Sequence, residues 1–331
     1  MANRPKILVT QKVPEPAYPL LEAIGEVEAN RKEGGIWSPA ELAQRGPGHD
    51  YLFCLLTDTI DERFLTACAG AQPRLRLLAN MAVGYNNIDI AAATRLGIAV
   101  TNTPGVLTDT TADLAFGLLL AAARRIPESE RFLRAGKFTG WGPLLFCGAE
   151  VNHATLGLIG MGRIGKVMAR RASGFDMKIL YHNRQRLSPA EEAEYHAIYL
   201  PLDELLQQAD FVSLHTPYAP ATHHLIGERE LGLMKTSAIL INTARGPIID
   251  EKALVKALQQ GTIAGAGLDV FEREPAVEPE LLGMENVVLL PHIASASLHT
   301  RTLMATMAAN NIAAHAHGER PPNILNPEVL S

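Results

Sequence analysis

The chain has 331 residues, 47% of them apolar, 20% charged and 5% aromatic, with a formal net charge of −5 at neutral pH and an isoelectric point near 6.1. That length can fill two domains of ordinary size. The charge balance leaves no general basic field for nucleic acid or an anionic membrane, so a small molecule is the default partner and any anion site must be built locally.

The amino-terminal stretch MANRPKILVT runs straight into a strand-like segment, without the apolar core and small-residue cleavage site of a secretory signal. Strand-like and helix-like segments then alternate: KILVT, PAYPLLEAIGEV, YLFCLLT, DERFLTACAG and LRLLANM. The alternation predicts parallel sheets covered by helices. Gly97 to Thr103 reads as a further strand, closed by Pro104 and Gly105, where a domain crossing fits. Thr108 to Ala123 predicts a long apolar helix on the inter-domain surface, capped by Asp109 or a neighbouring threonine. Its most apolar part, LAFGLLLAAA, is about half of the roughly 20 residues that span a bilayer, so it reads as buried. A loop rich in glycine and aromatics, FTGWGPLLFCG, leads to a second alternating region from Ala154 to about Ser295, and Leu298 to Ala316 is helical in pattern. Cys54, Cys68 and Cys147 are odd in number and lack CxxC spacing, which suits buried thiols in a reducing cytoplasm.

The sharpest local signal lies in the second region. The strand-like TLGLI at 155–159 precedes Gly160-Met161-Gly162-Arg163-Ile164-Gly165, which opens the helix-like KVMARRASGF. Strand, glycine turn and helix in this order cradle a pyrophosphate on backbone N–H groups at a helix amino terminus. The next strand, Lys178 to His182, ends about 20 residues on, where such a site meets the adenosine ribose. It is followed by Asn183, Arg184, Gln185 and Arg186, with no acidic residue for two ribose hydroxyls. A guanidinium suits a 2′-phosphate, so NADP(H) is favoured, with NAD(H) still possible.

Three further apolar runs end in polar residues of catalytic type: Arg245 after AILINTA, Glu274 after AGLDVFER and His292 after VVLLP. A parallel strand delivers such residues to the carboxyl edge of its sheet, where open α/β folds bind ligands. Hydride attack on a carbonyl builds alkoxide charge, which an imidazolium can protonate, and a carboxylate beside the ring favours its charged form.

The segments INTARGPIID, GAGLDVFEREP and VVLLPHIAS, together with the glycine fingerprint, NMAVGYNNIDI and TNTPGVLTDTTADLAFGLLL, resemble the D-2-hydroxyacid dehydrogenase family over essentially the whole chain. Within it the likeness is greatest to the subgroup that reduces glyoxylate and hydroxypyruvate. The resemblance implies two doubly wound α/β domains: a flavodoxin-like substrate domain formed by residues 1–103 and 296–331, and a Rossmann domain inserted in it at 104–295. It implies that Arg245 holds the carboxylate and carbonyl oxygen of a 2-oxo acid, that His292 is the acid/base, and that Glu274 orients it. Thr111, Thr216, Pro217, Thr243, Ala244, Asp269 and Ala294 would line the cofactor, with Asp269 receiving the nicotinamide carboxamide. Val83 and Gly84 would bind the substrate carboxylate through backbone N–H groups. Trp141 belongs to a loop that, in this subgroup, reaches across a homodimer interface to the partner's active site.

The remaining histidines show no metal-ligand spacing backed by carboxylates, so no metal is expected, and His223-His224 reads as a surface feature. The resemblance leaves open another member of the family, acting on phosphoglycerate or D-lactate, and, in a different class, a nucleotide-sensing corepressor-like protein. Glu274 speaks against a formate dehydrogenase, where the family has glutamine.

Overall fold

Apolar residues on both faces of a short run demand cover on both sides, and nearly all the strands meet that demand. In the computed structural model, which describes residues 4–330, the chain divides into two units: residues 4–107 with 296–330, and residues 108–295. The division falls between Leu107 and Thr108, just beyond the Pro104-Gly105 pair, and again between Ser295 and Ala296.

The first unit holds β1 (Lys6–Val9), β2 (Glu26–Ala29), β3 (Tyr51–Cys54), β4 (Leu77–Asn80) and β5 (Ala99–Thr101) in one parallel sheet of order β2-β1-β3-β4-β5. The period of two separates its cores: Ile7, Val9, Tyr51 and Phe53 face one side, and Leu8, Leu52 and Leu78 the other. Helices α1 (Ala17–Ile24), α2 (Pro39–Arg45), α3 (Glu62–Gly70) and α4 (Ile90–Arg95) belong to this unit. The strand expected over residues 97–103 is only the three residues of β5: Gly97, at φ +67°, still belongs to the turn after α4, and pairing with β4 ends at Thr101.

The second unit opens with α5 (Thr108–Ala123) and α6 (Ile126–Arg134). Asp109 lies inside the first turn of α5 rather than capping it, and its carboxylate meets Arg171 at 3.5 Å. A carboxylate is favourable in a first turn in any case. Then follow β6 (Thr155–Ile159), α7 (Arg163–Ser173), β7 (Lys178–His182), α8 (Pro189–Tyr195), β8 (Ala197–Tyr199), α9 (Leu202–Gln208), β9 (Phe211–Leu214), α10 (Glu228–Leu233), β10 (Ile239–Asn242), α11 (Glu251–Gln259), β11 (Gly265–Leu268), α12 (Pro279–Leu282) and β12 (Val287–Leu289). The seven strands are parallel in the order β12-β11-β10-β9-β6-β7-β8. Successive strands step one way from β6 and then the other, so the order reverses between β6 and β9, the point where doubly wound sheets bind ligands. Leu156, Leu158 and Ile241 pack with α5 on one face, while Val212, Leu240 and Leu268 pack with α9 and α11 on the other. The last helix, α13 (Leu298–Ala316), returns to the first unit and covers β3 and β4. Among the described residues no helix is long and apolar enough to cross a membrane.

Leu240 is fully buried at the centre of β10. Leu240→Ala should lower the stability of the second unit by about 2–5 kcal/mol, seen as an earlier denaturant transition by circular dichroism.

Candidate active site

The glycine turn after β6 is built for different reasons at each glycine. Gly160 has φ +100°, and a Cβ there would lie 2.7 Å from the His215 carbonyl carbon at the end of β9. A Cβ on Gly165 would lie 2.1 Å from the Gly160 oxygen, so that residue lets helix and strand meet. At Gly162 a Cβ would meet nothing within 4 Å. Gly162 begins α7 without any side-chain cap, which leaves the N–H groups of Arg163 and Ile164 directed outward at the positive end of the helix. The open space and the uncapped amides form an anion cradle. Asn183 holds it in shape, its Oδ1 accepting the Met161 N–H at 2.7 Å.

Two buried hydroxyls near the same sheet edge, Thr216 Oγ1 and Thr243 Oγ1, have no partner. Unmatched buried polar groups cost about 1–3 kcal/mol each, and such orphans fit a site that a polar ligand completes. Thr111 is buried on α5, which packs on α7, and the exposed Pro217 follows Thr216.

The two arginines beyond β7 part company. Arg186 makes a two-point ion pair with Glu192 at 2.7 and 2.9 Å, and Glu192 also accepts the Tyr181 hydroxyl at 2.7 Å. Arg184 is exposed and carries no such pair.

The reaction centre stands at the ends of β10, β11 and β12. Buried Asn242 closes β10, donating from Nδ2 to the Arg245 carbonyl at 2.9 Å and accepting the Ala244 N–H on Oδ1 at 3.0 Å. This wraps the Thr243–Arg245 turn around one side chain. Loss of water around the Arg245 guanidinium lowers its pKa, and the charge of Glu274 opposes that shift.

Asp269, just past β11, is fully buried. Its two carboxylate oxygens accept the Ile293 and Ala294 N–H groups at 2.7 and 2.8 Å, and its carbonyl accepts the His292 N–H at 2.9 Å. Burial raises the Asp269 pKa, with the two amides pulling the other way. The turn fixed by these bonds holds His292 at φ +53°, a left-handed conformation rare outside glycine and found where the surroundings impose it. His292 Nδ1 then lies 2.8 Å from Glu274 Oε2, while Glu274 Oε1 accepts the Phe271 N–H at 3.0 Å. Burial pushes the Glu274 pKa up, but the histidine, that amide and the Arg245 charge outweigh it and hold the carboxyl below its ordinary value. The structure therefore brings Arg245, Glu274 and His292 together, and it directs Asp269 into the His292 turn, a use the sequence did not suggest.

In the first unit, Asn80 Nδ2 donates to the Gly84 carbonyl at 3.0 Å and Asn102 Nδ2 to the Val83 carbonyl at 2.8 Å. Both carbonyls are thus tied down, and neither the Val83 nor the Gly84 N–H has an acceptor among the described residues. Sequence reasoning assigned no role to Asn80 or Asn102, although asparagine at a strand end is a signal for such a turn. Trp141 lies in the loop after α6 with 83% of its surface exposed, next to Leu144 at 84%.

A doubly wound parallel sheet with an uncapped glycine turn at its switch point, and a histidine–carboxylate couple at its carboxyl edge, defines a dinucleotide-dependent oxidoreductase. Residues 116–294 match the D-isomer specific 2-hydroxyacid dehydrogenase NAD binding domain. The glyoxylate reductase of Thermococcus litoralis is 48% identical over 99% of this chain and 98% of its own length. Among solved structures, a protein of Thermus thermophilus superposes with TM-score 0.89 at 43% identity, covering 97% of this chain and 99% of that one. An NADPH-dependent glyoxylate/hydroxypyruvate reductase of Sinorhizobium meliloti, in complex with NADP and malonate, gives 0.84 at 34% identity over 98% and 97% of the two chains. The chain belongs to the D-isomer specific 2-hydroxyacid dehydrogenase family.

The turn separates ligand space from packing space, and substitution should show it. Gly162→Ala should leave folding stability nearly unchanged, within about 0.5 kcal/mol, yet weaken nicotinamide nucleotide binding measured by calorimetry. Gly165→Ala should destabilise the second unit, because its methyl collides with the Gly160 carbonyl.

Proposed function

We propose that this enzyme reduces short 2-oxo acids, glyoxylate to glycolate and hydroxypyruvate to D-glycerate, with NADPH favoured over NADH. The observation that carries the reading is the 2.8 Å contact between His292 and Glu274 at the carboxyl edge that also carries Arg245. The names of the Thermococcus and Sinorhizobium relatives support it.

A nicotinamide dinucleotide, when bound, supplies the hydride. The Gly162–Gly165 amides hold its pyrophosphate, Thr111, Thr216, Pro217, Thr243, Ala244 and Ala294 line it, and Asp269 acts through the turn it fixes. Arg245 pairs with the carboxylate and carbonyl oxygen of the 2-oxo acid. Glu274, an anion at neutral pH, keeps the His292 proton on Nδ1, so Nε2 is the nitrogen that delivers a proton to the oxygen of the reacting carbonyl as charge grows there. The free Val83 and Gly84 amides supply a carboxylate receptor in the first unit. Because Arg186 is engaged with Glu192, Arg184 carries the preference for a 2′-phosphate. A second copy of the chain covers the exposed apolar side chains of Trp141 and Leu144, giving a homodimer in which Trp141 approaches the partner's substrate.

NADPH oxidation followed by absorbance with glyoxylate and with hydroxypyruvate tests the assignment directly, and absence of turnover with every 2-oxo acid would overturn it. His292→Ala should cut kcat by about 10²–10⁴-fold while cofactor affinity holds. Reduction of a 2-oxo acid takes up a proton, so by mass action low pH favours it and high pH favours the reverse oxidation. With its pKa lowered, Glu274 keeps its charge until pH falls below the ordinary carboxylate range, so the couple should survive mild acid, and Glu274→Gln should lower kcat while cofactor affinity holds. Arg184→Asp should shift the NADPH/NADH ratio of kcat/KM toward NADH by about tenfold or more, whereas Arg186→Ala should change it less.

A further inference from the structure

The segment from Asp269 to Pro275 carries Glu274, but what anchors it lies outside the couple with His292. Glu251, the first residue of α11, is only 3% exposed, and its Oε1 accepts the Glu272 N–H at 2.6 Å. Glu272 Oε2 accepts the Glu251 N–H at 3.3 Å in return. The other Glu272 oxygen lies 3.0 Å from His224 Nε2. His224 is held in its own turn, its N–H donating to the Pro247 carbonyl at 2.9 Å, and the chain beyond it pairs Ile226 with Ile249. The Gly246 backbone closes the other side, since a Cβ there would lie 1.8 Å from the Phe271 carbonyl carbon. His224 is therefore no simple surface histidine, although its stacked neighbour His223 is exposed.

These contacts converge on the peptide between Phe271 and Glu272. The Phe271 N–H is the donor that holds Glu274 Oε1, and α11 is itself fixed by Leu254 and Leu258 in the core. Glu251 thus ties a rigid helix to the short loop from which Glu274 reaches His292. We propose that Glu251, Glu272 and His224 form a positioning network in which Glu251, acting through the Phe271–Glu272 backbone, sets the place of the Glu274 carboxylate against His292. The assignment rests on the functional reading above in naming Glu274 and His292 as the couple that is positioned.

The test is a double-mutant cycle on the full-length enzyme. Glu251→Ala removes the acceptor of the Glu272 N–H and should lower kcat for glyoxylate roughly 10- to 100-fold, the scale of a misplaced group, with little change in cofactor affinity. Glu251→Gln keeps an oxygen for that N–H and should restore most of the rate. On a Glu274→Gln background, Glu251→Ala should cost almost nothing further. An equal loss in both backgrounds would overturn the proposal, because a merely structural defect adds. Should Glu251→Ala fail to fold, His224→Ala carries the same cycle, with a smaller loss that also vanishes beside Glu274→Gln. A readout without substrate separates this proposal from the functional one: in ¹⁵N-histidine NMR, the hydrogen-bonded Nδ1 proton of His292 should shift in Glu251→Ala. An unchanged signal would overturn the network whatever the enzyme reduces, and a shifted one would support it even if no 2-oxo acid is turned over.

Discussion

The adjacency of β11 and β12 is the constraint on which the rest of the site depends. Parallel pairing sets Leu268 opposite Leu289, so the chain leaves both strands at the same level. A carboxylate a few residues beyond one strand can then meet an imidazole just beyond the other. Neither side chain could hold the 2.8 Å contact alone, since both are partly exposed and an exposed ion pair is worth at most about 1 kcal/mol. Position comes from the backbone instead, with Asp269 gripping three consecutive amides from His292 to Ala294. The left-handed φ of His292 measures how firmly that grip overrides local preference.

The same logic runs through the second unit: a polar side chain at the end of a strand or the start of a helix fixes a neighbouring turn of backbone. Asn242 folds the turn that bears Arg245, Asn183 braces the glycine turn, and Glu251 ties down the loop of Glu274. In the first unit Asn102 and Asn80 tie down the Val83 and Gly84 carbonyls, and the Thr103 N–H ties down that of Ala82. Buried polar groups are costly unless matched, which makes such arrangements stiff. Among the buried hydroxyls left unmatched, those of Thr216 and Thr243 lie in the second unit at the carboxyl ends of β9 and β10.

The sequence made the architecture legible because its strands are apolar on both faces and its helices lie between them. The glycine fingerprint, Arg245, Glu274 and His292 were legible for a related reason: each follows a strand, and the carboxyl ends of parallel strands share one edge. What could not be read were contacts between side chains distant in sequence or set by a turn. Arg184 and Arg186 look equivalent in HNRQR, yet the capping box of Ser188 and Glu191 starts α8 so that Glu192 faces Arg186 alone. The resemblance implies Asp269 as the group that receives the nicotinamide carboxamide, and nothing in GLDVF reveals that the Ile293 and Ala294 amides also use its oxygens. His223 and His224 looked alike, and only the return of Glu272 toward α11 distinguishes them.

Carboxylates at this edge behave differently because their partners differ, and the contrast explains how acidic groups of one type serve separate purposes within a short span. Asp269 and Glu251 are buried with backbone amides as acceptable but uncharged partners, and burial raises the pKa of each. Glu274 is also partly buried, but it faces His292 and the charge of Arg245, and the balance reverses. The two with raised values hold backbone, a task that needs a hydrogen-bond acceptor more than a full charge. The one with a lowered value faces the imidazole, and the role proposed for that couple needs a full negative charge there. The direction of each shift follows from what replaces the water lost on burial: amides leave desolvation dominant for Asp269 and Glu251, whereas the added charges of His292 and Arg245 reverse it for Glu274.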